Sequence, residues 1–170
     1  PPRSTLSSSS AASDVYKRQL LEERRNRSSP PDSLEMVFLS RRHARRRHLV
    51  NEDELLPILK QHGFEVLIAE EYDVLGQIQI FSQVTHLIAP HGAGLVNGMF
   101  AKPGARILEI RPVISSGDYC FDDLFQCGEF QHEVLVPKKR GRFLLDPGLL
   151  DDTLRRWEQT ETSFRKFACV

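Results

Sequence analysis

Residues 85–110 read Thr-His-Leu-Ile-Ala-Pro, then His91-Gly92-Ala93-Gly94-Leu95, then Val-Asn-Gly-Met-Phe-Ala-Lys-Pro-Gly, then Ala-Arg-Ile-Leu-Glu-Ile. The pattern predicts strand, glycine turn, short helix, strand. The apolar run at Leu87, Ile88 and Ala89 is short and stopped by Pro90, as suits a buried parallel strand, and the glycines let the backbone turn sharply into a helix. A helix that begins there presents bare N–H donors and the positive end of its dipole to an anion, and Gly92 and Gly94 put no side chain in between. The turn is therefore expected to hold a phosphate-bearing ligand.

The flanking segments alternate in the same cadence. Strands are expected at 34–39, 64–68, 105–110 and 132–136. Helices are expected from Asn51 to the Gly63 stop, over 74–81 with Val74, Leu75, Ile78 and Phe81 inward, within 115–130 around Tyr119, Phe121, Leu124 and Phe125, and over 151–167 with Trp157. Asn51 with Glu54 three residues on resembles a capping box. This alternation predicts an α/β, Rossmann-like three-layer domain with a mostly parallel, right-handed sheet. The 170 residues suffice for one such domain. Residues 1–33 are set apart: 1–19 are Pro-, Ser- and Ala-rich and read as a disordered or artefactual segment, similar to translated adapter sequence at the end of a metagenomic fragment. On that reading the native protein begins upstream.

Charge and cysteine content narrow the partners. Lys plus Arg equals Asp plus Glu at 23 each, so no global field draws nucleic acid or an anionic membrane. Cys120, Cys127 and Cys169 have neither the count of a disulfide framework nor zinc-site spacing, which fits idle thiols in a reducing compartment. No apolar run reaches the ~20 residues of a membrane span. Locally, however, Arg41, Arg42, Arg45, Arg46 and Arg47 crowd one loop at the carboxyl end of the first strand, where open α/β sheets bind ligands. Guanidinium forks suit diphosphate oxygens; a solvated or nucleic-acid-binding loop is the competing reading. Glu109, ending the strand after the turn, is placed to accept from ribose hydroxyls or, alternatively, to pair with Arg111 at the surface. Lys138 to Arg142 reads as a solvated turn.

Five blocks in order, Ser40-Arg41-Arg42, Arg47 with Leu49-Val50-Asn51-Glu52, His91 to Leu95, Phe100 with Pro103-Gly104-Ala105, and Leu108-Glu109-Ile110, resemble glycosyltransferase family 61 over about 36–136. That resemblance implies the C-terminal, donor-binding half of a GT-B enzyme with inverting chemistry on a nucleotide-sugar donor, UDP-linked, and a glycan or protein acceptor. Arg41 or Arg42 together with Arg47 would hold the diphosphate, His91, Gly92, Ala93, Gly94 and Leu95 would line the turn, and Glu109 would face the nucleoside. No cofactor and no metal are expected, since arginines and a helix N-terminus can stabilise the leaving diphosphate. A general base is needed opposite the donor; His91 is a candidate, Asp118 is a loop carboxylate, and the base is expected on the N-terminal half. A bacterial cytoplasmic location is the first expectation and a Golgi or endoplasmic reticulum lumen the alternative. Two rivals remain: an NAD-dependent oxidoreductase, disfavoured because Gly92, Gly94 and Gly98 have the wrong third spacing, and a basic nucleic-acid module, disfavoured by the lack of interleaved aromatics.

Overall fold

A computed structural model describes residues 34–112, 120–126, 129–137 and 143–167, with side chains to 160 in the last segment. Five strands, β1 (Met36–Leu39), β2 (Glu65–Leu67), β3 (His86–Pro90), β4 (Arg106–Ile110) and β5 (Gln131–Leu135), form one sheet in the order β2-β1-β3-β4-β5, with every pair parallel. This is the Rossmann-like arrangement the sequence predicts. Strand alternation sends Val37, Leu39, Leu87, Ala89 and Ile107 to one face and Phe38, Ile88, Leu108 and Ile110 to the other. The first face is covered by α2 (Val74–Phe81), a 3-10 helix (Ala93–Phe100) and α3 (Cys120–Gln126), through Ile80, Phe81, Leu95, Phe121 and Phe125. The second is covered by α1 (Glu52–Gln61) and α4 (Pro147–Phe167), through Leu55, Leu59, Leu150, Leu154 and Trp157. The central strands β1, β3 and β4 are thereby covered on both faces, as a parallel sheet requires, while the edge strand β2 leaves Val66 44% exposed.

Three helices differ from expectation. In α2, Val74 and Leu75 are 70% and 65% exposed, and the buried stripe is Gly76, Ile80 and Phe81. Asp73, whose carboxylate accepts from the Gly76 amide at 2.8 Å, starts the helix and so fixes this rotation. Helix α4 begins at Pro147 rather than 151, because Asp146 Oδ1 caps the Gly148 and Leu149 amides at 2.8 and 3.2 Å and proline suits the first helical position. Asn51 makes no side-chain cap to α1; it donates to the Leu145 carbonyl at 2.8 Å and accepts from the Leu145 amide at 3.2 Å, clamping a distant segment instead. Its contact with Glu54 at 3.2 Å preserves the side-chain part of the expected pair. Asp118, Cys127, Cys169, residues 1–33 and Lys138 to Arg142 lie outside the described residues. Among the described residues no helix is long and apolar enough to cross a membrane.

His62 locks α1 to α4. Its ring nitrogens face Asp151 and Glu158, each at 2.7 Å. Burial alone lowers its pKa, but the bonds to Asp151 and Glu158 outweigh that and raise it. Since only an imidazolium can donate to both carboxylates, this contribution is whole below the unfolded value near 6.5 and is lost as pH rises through the raised folded value. Denaturant melts at pH 6 and above are expected to show His62→Gln much less stable than wild type at the low end, with the gap closing as pH rises.

Candidate active site

The chain passes from β1 to β2 on one side and returns to place β3 on the other, so the carboxyl ends of β1 and β3 flank a crevice where open α/β sheets bind ligands. The loop 40–50 leaves β1 there, and the glycine turn leaves β3 there. Arg41 and Arg42, adjacent in sequence, part company at once. Arg42 turns to the start of α1, donating through Nη2 and Nε to Glu52 Oε1 at 2.8 and 3.0 Å, with Ser40 Oγ donating to the same oxygen at 2.6 Å. Arg41 lies over the glycine turn. A Cβ on Gly92 would meet the Arg41 guanidinium, with Cζ at 2.6 Å, and Gly92 has φ +153°, which only glycine adopts readily. Gly92 is thus required by both backbone and neighbour.

Arg41 is poorly satisfied where it sits. Among the described residues its Nε is buried without a hydrogen-bond partner, and its Nη2 reaches the Arg46 carbonyl at 3.3 Å. Burial lowers its pKa, Glu70 partly offsets this, and the nearby positive charge of Arg47 lowers it further. A half-buried guanidinium with an unused donor at its buried Nε, close to a second cation, gains from an anion more than from water. Arg47 itself is held in the left-handed region at φ +58°. The 3-10 helix opens from Gly92 with the Leu95 amide bonded to the Gly92 carbonyl at 2.9 Å, and the preceding amides begin the helix without intrahelical acceptors.

Other predicted residues take supporting places. A Cβ on Gly94 would come within 3.1 Å of Leu39 Cδ2, so that glycine serves close packing on β1, and Leu95 is buried in the core. Ala93 is exposed at the rim. His91 is 1% exposed; its amide donates to the Ile110 carbonyl at 2.8 Å, and its ring sits edge-on to Phe121. Glu109, expected to face a nucleoside, is wholly buried on the same side as Ile107. Its Oε1 meets His91 Nδ1 at 2.5 Å and accepts from Arg111 Nε at 2.9 Å; its Oε2 accepts from Arg111 Nη2 at 2.7 Å and meets His132 Nε2 at 3.1 Å. Burial pushes its pKa up, but the bonds from Arg111, His132 and His91 prevail and hold it at about 2. Both carboxylate oxygens are fully used. The pairing with Arg111 weighed from the sequence exists, in the interior rather than at the surface.

Sequence reading missed Asp122 and His132. Arg111 donates to both oxygens of Asp122 on α3, at 2.9 and 2.7 Å, and its pKa is raised by the bonds to Glu109 and then Asp122. The available signals were the shared strand face of Glu109 and Arg111, two residues apart, and an acid in the first turn of α3. Glu109, Asp122 and His132 offer ligand atoms within 4.8 Å of one another. The Arg111 guanidinium already supplies the cation between the two carboxylates, so a metal there has to displace it. A small cavity lined by Met36, His62, His86 and Trp157 lies at the opposite, amino end of the sheet and shares no residue with the crevice.

The sequence model of Glycosyltransferase 61 matches residues 5–108. That span is more than half of the chain and includes Arg41, Arg47 and the whole glycine turn. The chain belongs to glycosyltransferase family 61. Membership makes it a glycosyltransferase domain, one that serves transfer of a sugar from a donor to an acceptor. The matched span ends at Leu108, one residue before the buried Glu109. No curated protein matches the chain.

Proposed function

We propose that this glycosyltransferase 61 domain binds a UDP-linked sugar, with the donor diphosphate at the Gly92 turn, and takes part in inverting, metal-independent transfer. One observation carries the reading: the buried, unpartnered Arg41 Nε beside Gly92, with Arg47 near enough to disfavour its charge. An incoming diphosphate accepts from Arg41 and from the first amides of the 3-10 helix, and Arg47 adds a second cation. As the bond to the anomeric carbon breaks, negative charge grows on the diphosphate, and these fixed donors stabilise it more than the ground state. Arg42 is spent on Glu52 and stays out of the contact. Glu109, saturated by Arg111, His91 and His132, holds the floor beneath the turn rather than the nucleoside. His91 is a positioning residue in this reading. The base that takes the acceptor proton comes from the other Rossmann half of a GT-B enzyme.

Thermal-shift measurements on the chain with UDP, GDP, NAD and a short oligonucleotide, with and without magnesium, test this. UDP is expected to raise Tm equally in both conditions. Arg41→Ala and Arg47→Ala are expected to weaken UDP binding by roughly tenfold or more each, since hydrogen bonds from charged donors contribute about 1.5–3 kcal/mol. Stabilisation by NAD alone returns the oxidoreductase reading, and stabilisation by the oligonucleotide alone returns the nucleic-acid module. A magnesium requirement overturns the metal-free mechanism.

A further inference from the structure

Residues 40–50 carry Arg41, Arg42, His43, Arg45, Arg46, Arg47 and His48 and no acid, and these five arginines are among the 23 Lys and Arg that balance 23 Asp and Glu over the whole chain. The structure divides these cations. Arg42 is neutralised by Glu52 and Asp53, at 2.8 and 3.4 Å. Arg41 lies over the glycine turn, and the donor reading assigns Arg47 to it as well. Arg45 and Arg46 are exposed, and among the described residues no hydrogen bond or ion pair engages their side chains. The loop is not adrift: the Ala44 amide bonds to the Arg41 carbonyl at 2.9 Å, and the Arg41 guanidinium bonds to the Arg46 carbonyl at 3.3 Å. Arg45 and Arg46 are thereby tethered beside the crevice that the diphosphate reading fills. Their mutual repulsion is relieved by no acid within the loop.

Resting on the donor reading above, we propose that Arg45 and Arg46 bind the acceptor, and that the acceptor is a carboxylate-bearing glycan. The planar guanidinium fork matches a carboxylate in bidentate fashion, and an acceptor hydroxyl has to lie next to the donor sugar, along this rim. Nucleic acid fits less well, because residues 40–50 contain no Phe, Tyr or Trp on which a base could stack.

Calorimetry of the full chain at low salt, with polygalacturonate, its fully methyl-esterified form, poly(A) and UDP as separate titrants, tests the proposal. Polygalacturonate is expected to bind and to weaken with added salt, and the neutral ester to give no heat. Arg45→Ala/Arg46→Ala is expected to bind polygalacturonate about tenfold more weakly, as loss of two exposed ion pairs implies, with UDP affinity and Tm unchanged. Undiminished polygalacturonate binding by that variant, no binding by the wild type, or tighter binding of poly(A) overturns the proposal. A variant that loses UDP as well assigns both arginines to the donor site and also overturns it. Failure of the donor reading shows separately, as a wild-type chain that does not respond to UDP.

Discussion

Glu109→Gln is expected to cost about 3–5 kcal/mol of folding stability, the usual result of removing one partner from a buried ion pair. The side chain is completely buried and its two oxygens serve Arg111, His91 and His132. A neutral amide accepts through one oxygen only and leaves the Arg111 charge short of its carboxylate. The shift of the Glu109 pKa from 4.5 to about 2 corresponds to roughly 3 kcal/mol at 1.36 kcal/mol per unit, in line with that range. Because the folded value is the lower one, this stability is fully present above pH 4.5 and is lost as pH falls toward about 2. Denaturant melts of both proteins between pH 7 and pH 2 check the prediction: the gap is constant at the neutral end and closes in acid. A gap that persists unchanged at pH 2 contradicts the assignment of the ionised carboxylate.

Gly92→Ala is expected to damage donor binding while costing less stability than Glu109→Gln. The backbone at φ +153° is strained for alanine by about 1–3 kcal/mol, and the new methyl occupies the position of the Arg41 guanidinium. Arg41 is a flexible side chain and moves aside, so the domain still folds. Its donors then no longer address the turn, and UDP affinity is expected to fall by about ten- to a hundredfold, the loss of one charged donor group or more. Gly94→Ala is the control. Its methyl presses on Leu39 Cδ2 at 3.1 Å, on the core side, so it lowers Tm and leaves UDP affinity within about threefold if the backbone holds.

The periodic parts of the chain were legible. Strand and helix signals from Met36 to Ile110 fell within a residue or two of the structure, because short apolar runs closed by Gly and Pro leave few alternatives. Orientation was not legible in α2, where apolar residues at Val74, Leu75, Ile78, Ile80 and Phe81 nearly encircle the helix and the cap at Asp73 decides which ones turn inward. The dipeptide Pro147-Gly148 reads as a breaker until Asp146 is seen capping it. In the candidate site, the glycine turn and the basic loop could be paired from their places at two strand ends. The choice between Arg41 and Arg42 could not, since it depends on Glu52 being packed close enough to capture Arg42. Nor could the saturation of Glu109, whose partners arrive from the residue after β3, from β5 and from the segment after β4. Sequence spacing shows an acid at a strand end; only the fold shows that its lone pairs are taken.

The most direct test of the central claim is a titration of the isotopically labelled chain with UDP, followed by NMR at the amides of the turn and at the arginine Nε–H groups. The Gly92, Ala93 and Gly94 amides and the Arg41 Nε–H are expected to shift together and saturate at one affinity, without magnesium. Shifts confined to the cavity around His62 and Trp157, or a turn that stays silent while UDP binds elsewhere, would contradict it.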